Sequence, residues 1–294
     1  MSQIEKILFI INPVSGGNRR KDMPQLIKAN IDPDRLDAFI VMTEFRGHAT
    51  ILAEEALKQG IKRIVAVGGD GTINETARAL LHTEASFGII PSGSGNGLAR
   101  HLKIPLDTIR ALQVLNNAKI VSIDTGNVNG KAFFCTAGVG FDAHIGKVFA
   151  DKKVRGFRTY ISSAFNEFFR YKPSTYKLLI EGTEMEKKAF CITFANASQY
   201  GNNAYICPDA AIEDGFLDIC IIEPFPLYAA FDMARRLFEK SIFNSKYVSR
   251  VRIKQFLLRS DQDMIAHVDG EPHEEGKEIL VKVLPGSLKV MVSA

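Results

Sequence analysis

Residues 63–75 read RIVAVGGDGTINE, an apolar run that ends in two glycines, an aspartate, a third glycine and a threonine. Ile64, Val65, Ala66 and Val67 are apolar on both faces, as in a strand covered by helices on both sides. Gly68, Gly69 and Gly71 let backbone N–H groups approach a ligand closely, while Thr72 and Asn74 are suited to cap a helix expected to begin near Asn74. A helix N-terminus after a glycine turn holds anions, phosphate above all. Asp70 is the odd residue in such a turn. A carboxylate beside phosphates is repelled unless a divalent cation or a transferable proton lies between them, which points to metal-bound nucleotide chemistry. The plain alternative is an ordinary strand-to-helix turn in which glycine serves geometry and aspartate serves solvation.

The elements around this stretch repeat its pattern. Residues 6–11 (KILFII) form a predicted buried strand followed by NPVSGG at 12–17. A helix is expected over 21–30, a strand over 37–41, and a helix over 48–59 closed by Gly60. After the central strand and a helix over 74–82, a fourth strand at 87–90 leads into PSGSGNG at 91–97. Strands alternating with helices at this spacing predict a parallel sheet with helices on both faces, and ligands of such sheets collect beyond the carboxyl ends of the strands. Three glycine-rich turns, with Thr43 after the second strand, stand at those ends. GxxxxGK[ST] is absent, so the P-loop NTPase reading fails; GxGxxG with its later acidic residue and the protein-kinase motif set are absent too, leaving a dinucleotide-binding Rossmann site and a protein kinase unsupported.

At 294 residues, with 46% hydrophobic and 24% charged residues, the chain has the length of two domains and the composition of a globular protein. A net charge of +4 is too mild to call for a nucleic-acid partner. Cys135, Cys191, Cys207 and Cys220 are widely spaced among apolar residues, as expected of buried free thiols in a reducing cytoplasm. The apolar run at 7–11 is short for a signal peptide, and no stretch approaches the ~20 apolar residues of a membrane span.

Taken together, NPVSGG at 12–17, GGDGTINE at 68–75, PSGSGNGLAR at 91–100, IDTGNVNG from Ile123, AGVGFDA from Ala137, PDAAIEDGFLDI from Pro208 and VDGE at 268–271 resemble the diacylglycerol kinase catalytic family. These are bacterial lipid kinases related to sphingosine and ceramide kinases and, more distantly, to NAD kinases. The resemblance runs along nearly the whole chain, in order. It implies an NAD kinase/diacylglycerol kinase-like fold: an ATP-binding α/β domain over 1–121, to which 286–294 returns, and a mainly β, antiparallel-sandwich lipid-substrate domain over 122–285, with the active site between them. One departure is that the third loop carries Gly93, Ser94, Gly95, Asn96 and Gly97, closer to the sphingosine and ceramide kinase version. The lipid therefore stays open between diacylglycerol and a sphingoid-type acceptor.

The resemblance also implies roles. ATP is assigned to Asn12, Pro13, Ser15 and Gly16 of the first loop, Thr43, Gly68, Gly69, Asp70, Gly71, Thr72 and Glu75, and Ser94 of the third loop. Glu271 is the expected general base, Asp124 its supporting partner, and Asp70 the residue facing Mg²⁺–ATP, although Asp70 is itself a second candidate for the base. Asp142 is expected at the lipid head group. A structural magnesium is expected on the Asp214 carboxylate with the Ala211 and Phe216 carbonyls, where a plain Asp-Gly hairpin turn is the alternative. His267 and His273 flank VDGE and are read as bystanders.

After residue 121 strand-like segments dominate: 120–128, 132–137, 176–180, 189–195, 217–222, 247–258 and from 279 onward. Two helices are expected among them. The first, over 154–170, sets Val154, Phe157, Ile161, Ala164, Phe165 and Phe168 on one face, beside Lys152, Lys153, Arg155 and Arg158. It is suited either to a membrane surface or to packing on the sandwich. The second, over 227–239, gives no clear functional signal. Arg250, Arg252 and Lys254 alternate onto one strand face, readable as a headgroup contact or as a solvated face. Partners are thus a lipid at a membrane surface, with a homodimer left open. A non-catalytic nucleotide- or lipid-binding regulator is the competing class, disfavoured by the intact acids Asp70, Asp124 and Glu271.

Overall fold

A computed structural model describes residues 4–15, 22–150 and 167–294, which fall into two units. The first comprises Met1–Ile123 with Gly286–Ala294, the second Asp124–Pro285.

In the first unit, β1 (Glu5–Ile11), β2 (Leu36–Met42), β3 (Arg63–Gly68) and β4 (Ser86–Pro91) lie in the order β2-β1-β3-β4. All these pairs are parallel, and Lys289 and Val290, on the strand β16 (Glu278–Val292), extend the sheet beside Ser86 and Phe87 of β4, also in parallel. The strands at the centre are buried on both faces: Ile7, Phe9, Ile10, Ile64, Val65, Ala66, Val67, Phe87 and Ile90 have no exposed surface. This is why the sequence reads as unbroken apolar runs. The helices α1 (Met23–Asn30), α2 (His48–Lys58), α3 (Asp70–Leu80), α4 (Gly97–His101) and α5 (Thr108–Asn116) supply the connections. After α2, Gly60 takes φ +77° while its N–H reaches the Leu57 carbonyl and Ile61 N–H reaches that of Ala56. The two bonds close the helix in a Schellman motif that needs glycine at this point. One expectation is corrected: α3 begins at Asp70, so Thr72 and Asn74 lie inside the helix, buried, and cap nothing. Gly69 occupies the N-cap position.

The second unit is an antiparallel sandwich. One sheet runs β12 (Val248–Ile253), β11 (Leu217–Ile222), β10 (Cys191–Ala195), β7 (Thr136–Gly140), β14 (Met264–Val268), β15 (Glu271–Glu275). The other joins β5 (Lys119–Val128) and β6 (Lys131–Phe133) with β16, β13 (Gln255–Arg259), β8 (Ser174–Ile180) and β9 (Thr183–Ala189). A single apolar core, with Phe133, Val139, Leu178, Phe194, Ile219, Phe256, Leu258 and Val281, draws on both sheets. A second cluster of Cys191, Ile206, Cys207, Cys220, Met233 and Ile242 lies under the helix α7 (Leu227–Phe238). All four cysteines are free thiols.

Several predicted strands break in two. The run 132–137 divides because the Asp269 carboxylate accepts the N–H groups of Phe134, Cys135 and Thr136, turning the backbone between β6 and β7. The runs 189–195 and 247–258 divide at Phe190 and Lys254. The helix α6 (Phe141–Ala150) directly follows β7, where Gly140 turns at φ +104° with a would-be Cβ only 2.7 Å from the Cys191 backbone. Of the helix expected over 154–170, Phe168 is described; Val154, Phe157, Ile161, Ala164 and Phe165 and the four basic residues lie outside the described residues. The basic face is ion-paired in place: Arg250 with Asp218 and Asp209, and Arg252 with Asp214, while Lys254 lies over the Phe216 ring.

Candidate active site

In the first unit the glycine turns after β1, β3 and β4 interlock. Asn12 Nδ2 donates to Thr72 Oγ1 at 3.0 Å, tying the first turn to the second. Asp70 ties the second to the third: its Oδ2 accepts Asn96 N–H at 2.9 Å and its Oδ1 accepts Gly97 N–H at 3.0 Å. A carboxylate facing two amides at the start of α4 is a charge-assisted brace. Asn96, in the left-handed region at φ +54°, folds back so that its Oδ1 accepts Gly93 N–H and its Nδ2 donates to the Gly93 carbonyl. The turns pack backbone to backbone. A Cβ on Gly93 would stand 2.7 Å from Gly69 Cα, and one on Gly68 2.5 Å from Thr72 Cβ. These glycines are required by close approach rather than by positive φ.

The first-turn amides of α3 have no partner along the helix axis, so Gly71, exposed, and Thr72 open the anion-favouring end of an 11-residue helix among the three turns. Ser94 is exposed at the tip of the third turn, and Arg100 Nε donates to the Gly95 carbonyl beneath it. In the first turn Pro13 is exposed and Ser15 Oγ reaches the Asn12 carbonyl; Gly16 lies outside the described residues. Thr43 is buried at the end of β2, its N–H on the Ile11 carbonyl. Glu75 does not point into the turns as its place in GGDGTINE suggests. Its Oε2 accepts Ala49 N–H in the first turn of α2, and its carbonyl accepts the Thr50 hydroxyl.

The second unit holds the remaining acids. Asp142, in the first turn of α6, is a hub: Oδ1 accepts Ala143 N–H, and Oδ2 accepts from Thr193 Oγ1 at 3.0 Å and lies 3.3 Å from the Tyr200 hydroxyl. His267 Nε2 completes the set at 3.2 Å. Because His267 Nδ1 accepts Gly270 N–H, its proton is on Nε2, donated to Asp142. His267, read from the sequence as a bystander, links Asp142 to the turn carrying Glu271. The Cys191 thiol is pushed well above its usual range, first by burial and then by the Asp142 charge. Glu271 opens β15, half-buried, after Asp269 and Gly270 have turned through positive φ.

Asp124 is buried on β5, and its Oδ2 accepts Gly215 N–H, the centre of the loop expected to hold a cation. Around it, Asp214 Oδ1 accepts Phe216 N–H and Asp214 Oδ2 pairs with Arg252, while the Ile212 carbonyl accepts Asp124 N–H. Asn196 donates its Nδ2 to the Asp124 and Phe134 carbonyls, leaving its buried Oδ1 without a partner. Among the described residues no three acidic, histidine or cysteine side chains form a metal cluster. The Asp124 and Asp214 carboxylates and the backbone carbonyls of the loop are hard oxygen donors of the kind Mg²⁺ takes together with water, although Asp214 is already paired with Arg252.

Thr193, Tyr200 and Asn196 were missed by sequence reasoning, and Asn96 and His267 were named without these roles, since the bonds to Asp142, Asp70 and Asp124 join residues 26 to 125 positions apart. Only Thr193, a lone hydroxyl in the apolar, fully buried run CITFA of β10, offers a signal for any of them.

An α/β unit with three interlocked phosphate-type turns, joined in sequence to an antiparallel sandwich bearing buried acids, defines a kinase of the diacylglycerol kinase type. Residues 6–128 match the family described as diacylglycerol kinase catalytic domain, and residues 135–292 that described as YegS C-terminal NAD kinase beta sandwich-like domain. The chain belongs to the YegS-like kinase family. A Pseudomonas aeruginosa protein named "Probable lipid kinase YegS-like" is 31% identical over 99% of this chain and 95% of its own length. A protein of the same name from Yersinia enterocolitica is 29% identical over 96% and 95%. The crystal structure of a diacylglycerol kinase from Bacillus anthracis superimposes with a TM-score of 0.77 at 22% identity, covering 100% of this chain and 98% of that one, and shares the fold.

Proposed function

We propose that the chain is an ATP-dependent lipid kinase that moves the γ-phosphoryl group of ATP onto the hydroxyl of diacylglycerol or a similar lipid, working in the cytoplasm and visiting the membrane surface. The observation that carries the reading is the interlocking of the three turns through Asn12–Thr72 and Asp70–Asn96/Gly97 around the N-terminus of α3. That end of the helix offers amides to phosphate oxygens. Asn12, Pro13, Ser15, Gly16, Gly68, Gly69, Gly71, Thr72 and Ser94 bound the nucleotide, with Thr43 toward the adenosine and Glu75 holding α2 against α3. Each Asp70 oxygen has a lone pair beyond its backbone bond, so the brace can also hold the Mg²⁺ of Mg–ATP. When bound there, such an ion would supply neutralisation of charge on the transferring phosphate.

In the transfer, the lipid oxygen bonds to the γ-phosphorus, the bond to the β,γ-bridging oxygen breaks, and ADP leaves with that oxygen. The hydroxyl proton passes to Glu271. Asp142, oriented by Thr193, Tyr200 and His267, meets the polar head of the lipid. Asp124 acts on Glu271 from the sheet while its Oδ2 fixes the 211–216 loop. There Asp214 with the Ala211 and Phe216 carbonyls would hold a structural Mg²⁺, and Arg252 competes with the ion for the Asp214 carboxylate.

The test is transfer of labelled phosphate from Mg–ATP to detergent-dispersed diacylglycerol, monoacylglycerol, sphingosine and ceramide, with NAD as a soluble control. Phosphate on diacylglycerol is the expected result. Phosphate on sphingosine or ceramide favours the second reading, which the Gly93–Ser94–Gly95–Asn96–Gly97 loop supports. Glu271→Gln is expected to lower kcat by about 10²–10⁴ while leaving ATP binding intact. ATP binding with no transfer to any lipid points to the regulator instead.

A further inference from the structure

The helix α7 is apolar on two sides. Ala229 and Met233 face inward onto the Cys207–Cys220–Ile242 cluster. On the outer side, Leu227, Tyr228, Phe231, Ala234, Arg235 and Phe238 are exposed, at offsets of 0, 1, 4, 7, 8 and 11 residues, a continuous helical stripe. Tyr228 and Phe231 are 82% and 81% exposed, and Leu227 55%. A surface helix normally presents charge there, and an exposed apolar stripe marks a surface that meets something. The only charge on the stripe, Arg235, is neutralised by Asp232 and Glu239.

We propose that α7 is the membrane-docking element, laying Leu227, Tyr228, Phe231 and Phe238 into the interfacial region of an anionic bilayer. Two features select a bilayer over another occupant. First, aromatic residues dominate the stripe, and their amphipathic rings favour the headgroup boundary. The cations beside it suit anionic lipid: Lys246 lies next to Tyr228 and Tyr247, and Lys240 stands just past the helix C-cap Glu239, each over a tyrosine ring and, among the described residues, in no ion pair. Second, the stripe is continuous with a run of rings leading to Asp142. Phe225, two residues before α7, stands 5.0 Å from Phe190 and 5.6 Å from Phe168, ring centre to ring centre. Phe190 in turn stacks on Phe141 at 4.5 Å, and Phe141 immediately precedes Asp142. Phe169, 58% exposed, touches Phe168 at the outer end. An acyl chain leaving the bilayer beside α7 would stay against aromatic surface as far as the carboxylate assigned to its head group. This inference rests on the lipid-kinase reading for the identity of that cargo. No helix among the described residues is long and apolar enough to cross a membrane, so contact through α7 would be interfacial.

The chain contains no tryptophan, so Phe231→Trp gives a single-site reporter. Added to phosphatidylcholine vesicles containing phosphatidylglycerol, without ATP, this variant is expected to show a blue-shifted emission that brominated lipids quench. An unshifted, unquenched spectrum overturns the proposal. In co-sedimentation with the same vesicles, Tyr228→Ser/Phe231→Ser is expected to bind about tenfold more weakly or worse than the unmodified chain, from the loss of buried ring area. Its urea midpoint should be unchanged, and phosphate transfer to a short-chain, water-soluble diacylglycerol should be retained. Equal vesicle binding by both proteins overturns docking, as does loss of a dimer in sedimentation velocity with vesicle binding unaltered, which would make the stripe a self-association surface. Vesicle binding through the stripe without phosphate transfer to any lipid supports docking and refutes the kinase reading separately.

Discussion

Replacing Asp70 with asparagine keeps the shape of the side chain and changes one oxygen into a donor. In the structure both oxygens accept backbone N–H groups, from Asn96 at 2.9 Å and Gly97 at 3.0 Å. The amide can satisfy one of them; its NH₂ would face the other N–H, donor against donor. The loss is one charge-assisted bond, worth about 1.5–3 kcal/mol, together with the charge on the bond that remains. Asn96 is 5% exposed, so water gives little relief. With a urea m-value of about 2 kcal/mol/M, a loss of about 2 kcal/mol moves the midpoint of the first unit down by about 1 M. The assay is urea unfolding followed by circular dichroism, with fluorescent-ATP binding on the folded protein. ATP affinity is expected to fall with the midpoint, because the third turn loses its tie to the second. A midpoint within about 0.2 M of the unmodified protein would refute the brace and leave Asp70 a role toward the nucleotide alone.

Other consequences are sharp enough to test. Gly93→Ala places a Cβ 2.7 Å from Gly69 Cα and should cost about 1–3 kcal/mol, whereas Gly71→Ala, in the first turn of α3 with nothing within 4 Å of its Cβ, should hold or slightly raise the urea midpoint. The pKa of His101, in the last turn of α4, is lowered to about 4, chiefly by burial and then by Lys103. Between pH ~6.5 and ~4 the unfolded chain therefore binds a proton that the folded one refuses, and stability falls with pH by up to about 3 kcal/mol; His101→Gln should flatten that part of a pH–melting profile. Of the four thiols, half-buried Cys135 should react first with a disulfide reagent under native conditions, and Cys191, Cys207 and Cys220 only as fast as the protein opens. His267→Ala removes the proton shared with Asp142 and is expected to raise KM for the lipid more than it lowers kcat, with ATP binding unchanged, measured by steady-state kinetics.

The α/β unit was legible because its signals are local. Apolar runs of four to six residues, three of them followed by glycine-bearing turns, need no distant partner to be read, and Gly60 closing α2 is a two-bond motif within six residues. The roles of the acids were harder to read. Asp70 looks like a residue facing a ligand, yet its partners lie 26 and 27 positions away on another turn. Glu75 sits in the motif but serves α2. In the sandwich, EPHEE gives no strand signal, yet β15 forms at the sheet edge, where Pro272 needs no ladder donor. The alternation of Arg250 and Arg252 was visible, but their neutralisation by Asp218 and Asp214 depends on β11–β12 register, which single-strand periodicity does not carry. The outer stripe of α7 was hidden for the opposite reason: a helix apolar on two sides reads simply as buried.

The strand β16 bears on how the chain is made. Residues Gly286–Ala294 belong to the first unit, and Lys289 and Val290 flank Ser86 and Phe87 of its sheet. On the ribosome, the rest of that unit emerges about 160 residues earlier. At translation rates of roughly 5–20 residues per second, the β4 edge waits about 8–30 s for its neighbour. During that interval an open edge, with Phe87 and the buried run beside it, is available to other chains. The nucleotide-type turns stand at the opposite end of the same strand, and Ser92 N–H already holds the Gly68 carbonyl there. A nascent first unit would thus assemble its turns before its sheet is complete.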